Sequence, residues 1–222
     1  MTTIGFIGTG RIGGTVARLA VAAGYDVVIS NSRGPETLKE FADELGPPAR
    51  AATAIEAAEA GEIVVVSVPF KAHAQLPVAG LAGKVVLDTD NYYPQRDGQY
   101  AELVDGSITS AEFEQRFLGT AKVVKVFNNI ASGHLASLAR PAGAADRSSL
   151  PIAGDDAAAK QVATEFLDAI GYDTVDAGPL AEGWRFQPGQ PAYGPPYGSI
   201  EDPAGTPASA DKVREALAAA VR

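Results

Sequence analysis

Two short stretches near the amino terminus carry the residue types and spacing for binding a phosphorylated ligand. The run Thr3 to Ile7 is apolar and strand-like, and Gly8-Thr9-Gly10-Arg11-Ile12-Gly13 follows it directly, ahead of a helix-like run. A GxGxxG between strand and helix has a mechanical meaning. Gly8 permits a tight turn, Gly10 lets a pyrophosphate approach the backbone, Gly13 lets helix and strand pack closely, and the helix N-terminus offers free N–H groups to the anion. The pattern predicts a bound dinucleotide.

The second stretch, Ser30-Asn31-Ser32-Arg33-Gly34-Pro35, follows the second predicted strand. A site for NAD places Asp or Glu there to bond the ribose 2′-hydroxyl. Here no acid is present, and Asn31, Ser32 and Arg33 offer an amide, a hydroxyl and a guanidinium, which suit a 2′-phosphate. NADP(H) is therefore expected over NAD. The ordinary structural alternative is that Ser32 and Arg33 merely lead into a helix beginning at Pro35.

The reaction end is less explicit. Val68-Pro69 closes the strand beginning near Glu62, where Pro would stop the ladder beside a bound cofactor, and His73 follows. His73 could reach a phosphate or ribose, or be a solvated polar residue. The loops expected around a nicotinamide are Asp88-Thr89-Asp90-Asn91-Tyr92-Tyr93-Pro94 and Asn128-Asn129-Ile130-Ala131, and the second histidine is His134. Asn91, Asn128 and Asn129 are candidate cofactor contacts, and Asn128 and His134 candidate catalytic groups. Asp88 reads equally as a turn former and His134 as a helix-start residue. No Ser/His/Asp order, paired-carboxylate spacing or sheet-end Lys stands out, which favours hydride transfer with little proton chemistry.

These loops need a frame. Strand-like runs at Thr3–Ile7, Asp26–Ser30, Glu62–Val68, Lys84–Asp88, Lys122–Phe127, Ser149–Ala153 and Asp173–Asp176, with a short one near Ala49–Ala51, alternate with helical runs at Ile12–Ala23, Pro35–Leu45, Ala54–Ala60, Lys71–Leu81 and Asp155–Ile170. That alternation predicts an α/β fold, a doubly wound and mostly parallel Rossmann sheet. From Pro179 the chain turns rich in Gly and Pro, and Ser209 to Val221 regains helical character. The expected division is a dinucleotide-binding domain over residues 1–180 and a C-terminal arm with a terminal helix over 181–222, which completes a substrate site or a dimer interface.

Composition narrows the partners. At 222 residues with 46% hydrophobic and 20% charged residues, the chain can bury one substantial core. A net charge of −9 disfavours nucleic acid and anionic membranes. With no cysteine and two histidines, no metal site is expected. The opening Met1-Thr2-Thr3 runs straight into a strand without a signal-peptide pattern, so a cytoplasmic location is expected.

Further blocks occur in order: Ile4 to Gly13, Asn31-Ser32-Arg33-Gly34-Pro35, Val123-Val124-Lys125-Val126-Phe127-Asn128-Asn129-Ile130, Ala153-Gly154-Asp155-Asp156 and Asp176-Ala177-Gly178-Pro179-Leu180. From Thr3 to Leu180 the chain resembles the coenzyme F-420-dependent NADP oxidoreductases. The resemblance implies reversible hydride transfer between NADPH and a deazaflavin, coenzyme F-420, with the two rings stacked. It implies Thr9, Arg11 and Ile12 at the pyrophosphate, Ser32 and Arg33 at the 2′-phosphate, Asn128 to Ile130 beside the rings, and a homodimer in which the C-terminal part closes over the substrate. Beyond Leu180 the sequence departs from that pattern. Trp184, Phe186, Tyr193 and Tyr197 are candidate walls for a flat acceptor, or else pack on the sheet or a partner. A reductase of another acceptor (flavin, quinone or small carbonyl compound) and a non-enzymatic NADPH-sensing module remain alternatives.

Overall fold

The computed structural model describes residues 2–222. Eight strands, β1 (Thr3–Ile7), β2 (Asp26–Ser30), β3 (Ala49–Ala51), β4 (Ile63–Val66), β5 (Val85–Asp88), β6 (Lys122–Lys125), β7 (Ser149–Gly154) and β8 (Asp173–Asp176), form one sheet in the order β3-β2-β1-β4-β5-β6-β7-β8. Among the described residues, only the β6–β7 pair is antiparallel. The chain moves outward from β1 to β2 and β3 and then returns to place β4 on the other side of β1. That reversal opens a crevice at the carboxyl ends of β1 and β4.

The helices are α1 (Arg11–Ala22), α2 (Lys39–Leu45), α3 (Ala54–Ala60), α4 (Val78–Leu81), α5 (Pro94–Asp97), α6 (Ala101–Val104), α7 (Ser110–Leu118), α8 (Ser132–Ser137), α9 (Ala157–Ala169) and α10 (Ala210–Ala218). The central strands are buried along their length because helices cover both faces, which is why they read as unbroken apolar runs. None of the described helices is long and apolar enough to cross a membrane.

Three local expectations change. The single helix expected over Lys71–Leu81 is a 3-10 turn at Phe70–Gln75 followed by α4. Pro77 forces the preceding Leu76 into an extended conformation, which ends the first piece. The strand expected to run to Phe127 stops at Lys125, and Phe127 takes a left-handed φ of 64°. Helix α7 was not among the expected elements, although Thr109 and Glu112 form a complete capping box at its start.

The arm is part of the core. Phe186, Ala192, Tyr197 and Ala208 belong to the same apolar cluster as Ile4, Phe6 and Val124 on the sheet. The Tyr197 hydroxyl donates to the Ser149 carbonyl at 2.9 Å, fixing the arm against β7.

Candidate functional site

The glycine turn has the geometry its spacing predicts. Gly8 has φ +93°, and a Cβ there would lie 2.3 Å from the Ser67 carbonyl oxygen. At Gly13 a Cβ would come within 2.2 Å of the Gly8 carbonyl oxygen. Gly10 is different: a Cβ on it would meet nothing within 4 Å and would project into open space. That gap, at the uncapped N-terminus of α1, is a cradle an anionic group can fill.

The cradle lies in a cleft of about 330 Å³ that runs from Ile7, Gly8, Thr9 and Gly10 to Asn31, Ser32 and Arg33 on one side and to Val68, Pro69 and Gln75 on the other. Asn31 shapes the base end: its Oδ1 accepts from the backbone N–H of Arg33 at 2.9 Å and of Gly34 at 3.0 Å. Its Nδ2 donates to Thr37 Oγ1 at 2.9 Å. This bonding turns the loop, and leaves the side chains of Ser32 and Arg33 exposed at the cleft mouth. A second cleft of about 270 Å³ shares Gly10, Val68 and Pro69 with the first and continues past Arg11 and Ile12 to Thr89, Asp90, Asn91, Tyr93 and Arg96. Together they form one trough across the crevice, with a phosphate-suited end and a far end at the carboxyl terminus of β5.

Of the sequence candidates, Gly8, Thr9, Gly10, Arg11, Ile12, Asn31, Ser32, Arg33, Val68, Pro69 and Asn91 line this trough. Gly13 lies beneath it, its N–H donating to Ser67 Oγ at 3.1 Å. Four candidates lie elsewhere. His73 is buried among Phe70, Tyr100, Phe113 and Phe117, with Nδ1 at 2.9 Å from the Phe70 carbonyl, because the 3-10 turn points Ala72 and Gln75 to the cleft instead. His134 is buried with Nε2 at 2.8 Å from the Asp202 carbonyl, so it holds the arm.

Asn128 and Asn129 also serve the arm. Asn128 Nδ2 donates to the Phe186 carbonyl at 2.9 Å and Asn129 Nδ2 to the Ala192 carbonyl at 2.8 Å. Both asparagines directly follow Phe127, whose left-handed backbone ends the strand direction. Asn128 also keeps two links to the trough residue Asn91: its carbonyl accepts from Asn91 Nδ2 at 2.8 Å, and its Nδ2 donates to Asn91 Oδ1 at 3.2 Å.

The proposed aromatic walls divide in the same way. Phe186 and Tyr197 are core residues, and Trp184 stacks under Arg185 at 4.6 Å. Only Tyr193 reaches the far end of the trough, through a hydroxyl contact of 2.8 Å with Tyr93. Arg96 lies over the Tyr93 ring at 4.8 Å and is tied down by Asp97 at 2.7 Å.

One lysine does stand at a sheet end, behind the trough and not among its lining residues. Lys125, at the end of β6, is buried, and its Nζ lies 2.8 Å from Asp88 Oδ2 and 3.0 Å from Asp90 Oδ1. Burial works against its charge, but the adjacent Asp88 and Asp90 outweigh it and hold the ammonium above its ordinary range. Asp90 is pushed up to about 7, first by burial and then by Asp88, against the pull of Lys125. Glu114 of α7, also buried, is pushed up to about 9 by burial and by the charges of Asp90 and Asp88. Sequence reading missed this group because its members come from three separate elements. The register pairing Asp88 with Lys125 is visible only in the sheet.

A Rossmann crevice with a glycine cradle and an acid-free loop at its base end defines an NADP-dependent oxidoreductase. The family model for "NADP oxidoreductase coenzyme F420-dependent" matches residues 3–92. The F420-dependent NADP reductase of Methanothermobacter marburgensis is 33% identical over 193 residues, covering 78% of this chain and 82% of that enzyme. The chain belongs to this family. A crystal structure of a hypothetical protein from Sinorhizobium meliloti superposes with a TM-score of 0.75 at 30% identity, covering 86% of this chain and 93% of that one. Metalloreductase STEAP3 of Rattus norvegicus is 28% identical over 181 residues, 80% of this chain but 34% of that larger protein.

Proposed function

We propose that the protein transfers a hydride between NADP(H) and coenzyme F-420, within the NADP-dependent oxidoreduction its family defines. The observation that carries the cofactor half is the acid-free loop opening onto the same cleft as the glycine cradle. Ser32 and Arg33 hold the 2′-phosphate by charge-assisted hydrogen bonds. The N-terminus of α1, with Gly10, Arg11 and Ile12, receives the pyrophosphate. Val68 and Pro69 direct the chain of contacts toward Asn91 and Tyr93. NADPH supplies the hydride from its nicotinamide ring.

The acceptor half rests on family membership and on the reductase from Methanothermobacter marburgensis. The deazaflavin enters at the far end, beside Asn91, Tyr93 and Arg96, and residues 181–222 complete that end through Tyr193. The enzyme acts as a homodimer, a state that light scattering measures directly.

The test is to mix the purified protein with NADPH and coenzyme F-420 and follow the visible absorbance of the deazaflavin. Bleaching at a rate proportional to enzyme supports the proposal. A flat trace, with NADPH binding demonstrated on the same sample, eliminates this acceptor.

A further inference from the structure

Behind the far end of the trough, one ammonium is bonded to two carboxyl groups, and the charge of a third buried carboxyl is felt beside them. Lys125 from β6 donates to Asp88 Oδ2, to Asp90 Oδ1 and to the Asp90 carbonyl. Glu114 from α7 lies close by, 3% exposed, with neither carboxyl oxygen given a hydrogen-bond partner. Arg96 of α5 and Arg11 of α1 are the other charged residues that line the trough with Asp90, and Asp97 already binds the Arg96 guanidinium. Lys125 ties β6 to the end of β5 through Asp88 and to the following loop through Asp90, and Glu114 takes no part in those bonds. With all three carboxyls ionised against one ammonium, the cluster would hold an excess of negative charge in a region of low dielectric. Protons therefore stay on the cluster, on Glu114 first, because it lacks donors to stabilise a carboxylate.

One member borders the ligand side. Asp90 is a lining residue of the trough together with Asn91, Tyr93 and Arg96, with its side chain 2% exposed, while Lys125 and Glu114 are not among the lining residues. We propose that Asp90, backed by Lys125, Asp88 and Glu114, is a proton store that responds to the charge of the nicotinamide ring, retaining its proton opposite the neutral reduced ring and releasing it opposite the cationic oxidised ring. This rests on the cofactor placement given under Proposed function, and it does not depend on which acceptor is used.

The chemistry balances. Reduction of an acceptor A follows NADPH + H⁺ + A → NADP⁺ + AH₂. The C–H electron pair of the dihydronicotinamide forms the new C–H bond on the acceptor. The Asp90 O–H bond breaks, its proton passes to a heteroatom of the acceptor, and the carboxylate left behind pairs with Lys125 and faces the new ring cation. In the reverse direction Asp90 takes the proton back. Glu114 keeps its proton throughout, which keeps the cluster from accumulating charge as Asp90 cycles.

Calorimetric titration of the full chain with NADP⁺ and with NADPH, in buffers of different ionisation enthalpy, reads the protons exchanged per cofactor bound. The 2′-phosphate is common to both ligands, so the difference isolates the ring. At pH 7 NADP⁺ is expected to release about half a proton more than NADPH, since a group titrating near that pH is about half protonated. The difference should fade at pH 5 and pH 9. Asp90→Asn, which keeps an oxygen for Lys125, should bind both cofactors within a few-fold of the parent and show no difference between them.

Equal proton release for the two cofactors across this pH range on the unaltered protein overturns the proposal, and that comparison requires no variant. A difference that survives in Asp90→Asn also overturns it. Absence of binding by either cofactor overturns the cofactor placement itself, and the proton store with it.

Discussion

The hydroxyl of Tyr193, carried by the arm, lies 2.8 Å from that of Tyr93, on the loop after β5. The contact joins the C-terminal segment to the far end of the cofactor trough, where Tyr93 is a lining residue. Burial and the bond to Tyr93 together hold the Tyr193 phenol above its ordinary range, so it remains protonated at neutral pH. Tyr193→Phe should raise KM for the acceptor several-fold and leave NADPH affinity within about two-fold, with about 1 kcal/mol of stability lost with the hydrogen bond. Steady-state kinetics beside a cofactor titration separate the two effects. An unchanged KM would mean that the arm does not shape the acceptor site.

Arg33 should discriminate between the cofactors. Hydrogen bonds to a charged partner contribute about 1.5 to 3 kcal/mol each, so Arg33→Ala should weaken NADPH about 10- to 100-fold and NADH hardly at all. Fluorescence titration with both cofactors checks this. Equal losses would show that Arg33 only shapes the loop.

Gly8 and Gly10 should fail in opposite ways. Gly10→Ala adds a methyl where nothing lies within 4 Å, so stability should stay within about 0.5 kcal/mol while the pyrophosphate is displaced and binding drops at least about ten-fold. Gly8→Ala combines φ +93° with a Cβ 2.3 Å from the Ser67 carbonyl oxygen, and should cost about 1 to 3 kcal/mol or more of stability. Thermal melts and cofactor titrations on the pair measure both quantities. Normal NADPH binding by Gly10→Ala would contradict the placement of the pyrophosphate over Gly10.

Glu114 should set a slope in stability against pH. Its carboxyl is raised from 4.5 to about 9 on folding, so the native state keeps a proton that the unfolded state releases. Its contribution is fully present below about pH 4.5 and is lost progressively as pH rises toward 9. In Glu114→Gln the group no longer titrates, so melting temperature should decline less steeply over that window than in the parent. Parallel declines would show that Glu114 does not hold its proton in the folded protein.

Local signals explain what was legible in the sequence. The cradle and the loop from Asn31 to Arg33 were readable because each works through consecutive residues whose backbone conformation is set by glycine or an Asx turn. The mostly parallel, doubly wound sheet followed from the alternation of runs. The roles of His73, His134, Asn128 and Asn129 were not readable, because each depends on which way a side chain turns. Phe127 in a left-handed conformation directly precedes Asn128 and Asn129, and Pro77 breaks the helix expected around His73. For Lys125, Asp88, Asp90 and Glu114 the sequence spacings are uninformative, since register and the placement of α7 bring them together.

The position of bound NADP⁺ decides between these assignments, and a crystal structure of the complex measures it. The predicted result places the 2′-phosphate between Ser32 and Arg33, the pyrophosphate over Gly10, and the nicotinamide beside Asn91 and Tyr93, within reach of Asp90. A 2′-phosphate away from Arg33, or a nicotinamide outside the far end of the trough, would contradict it.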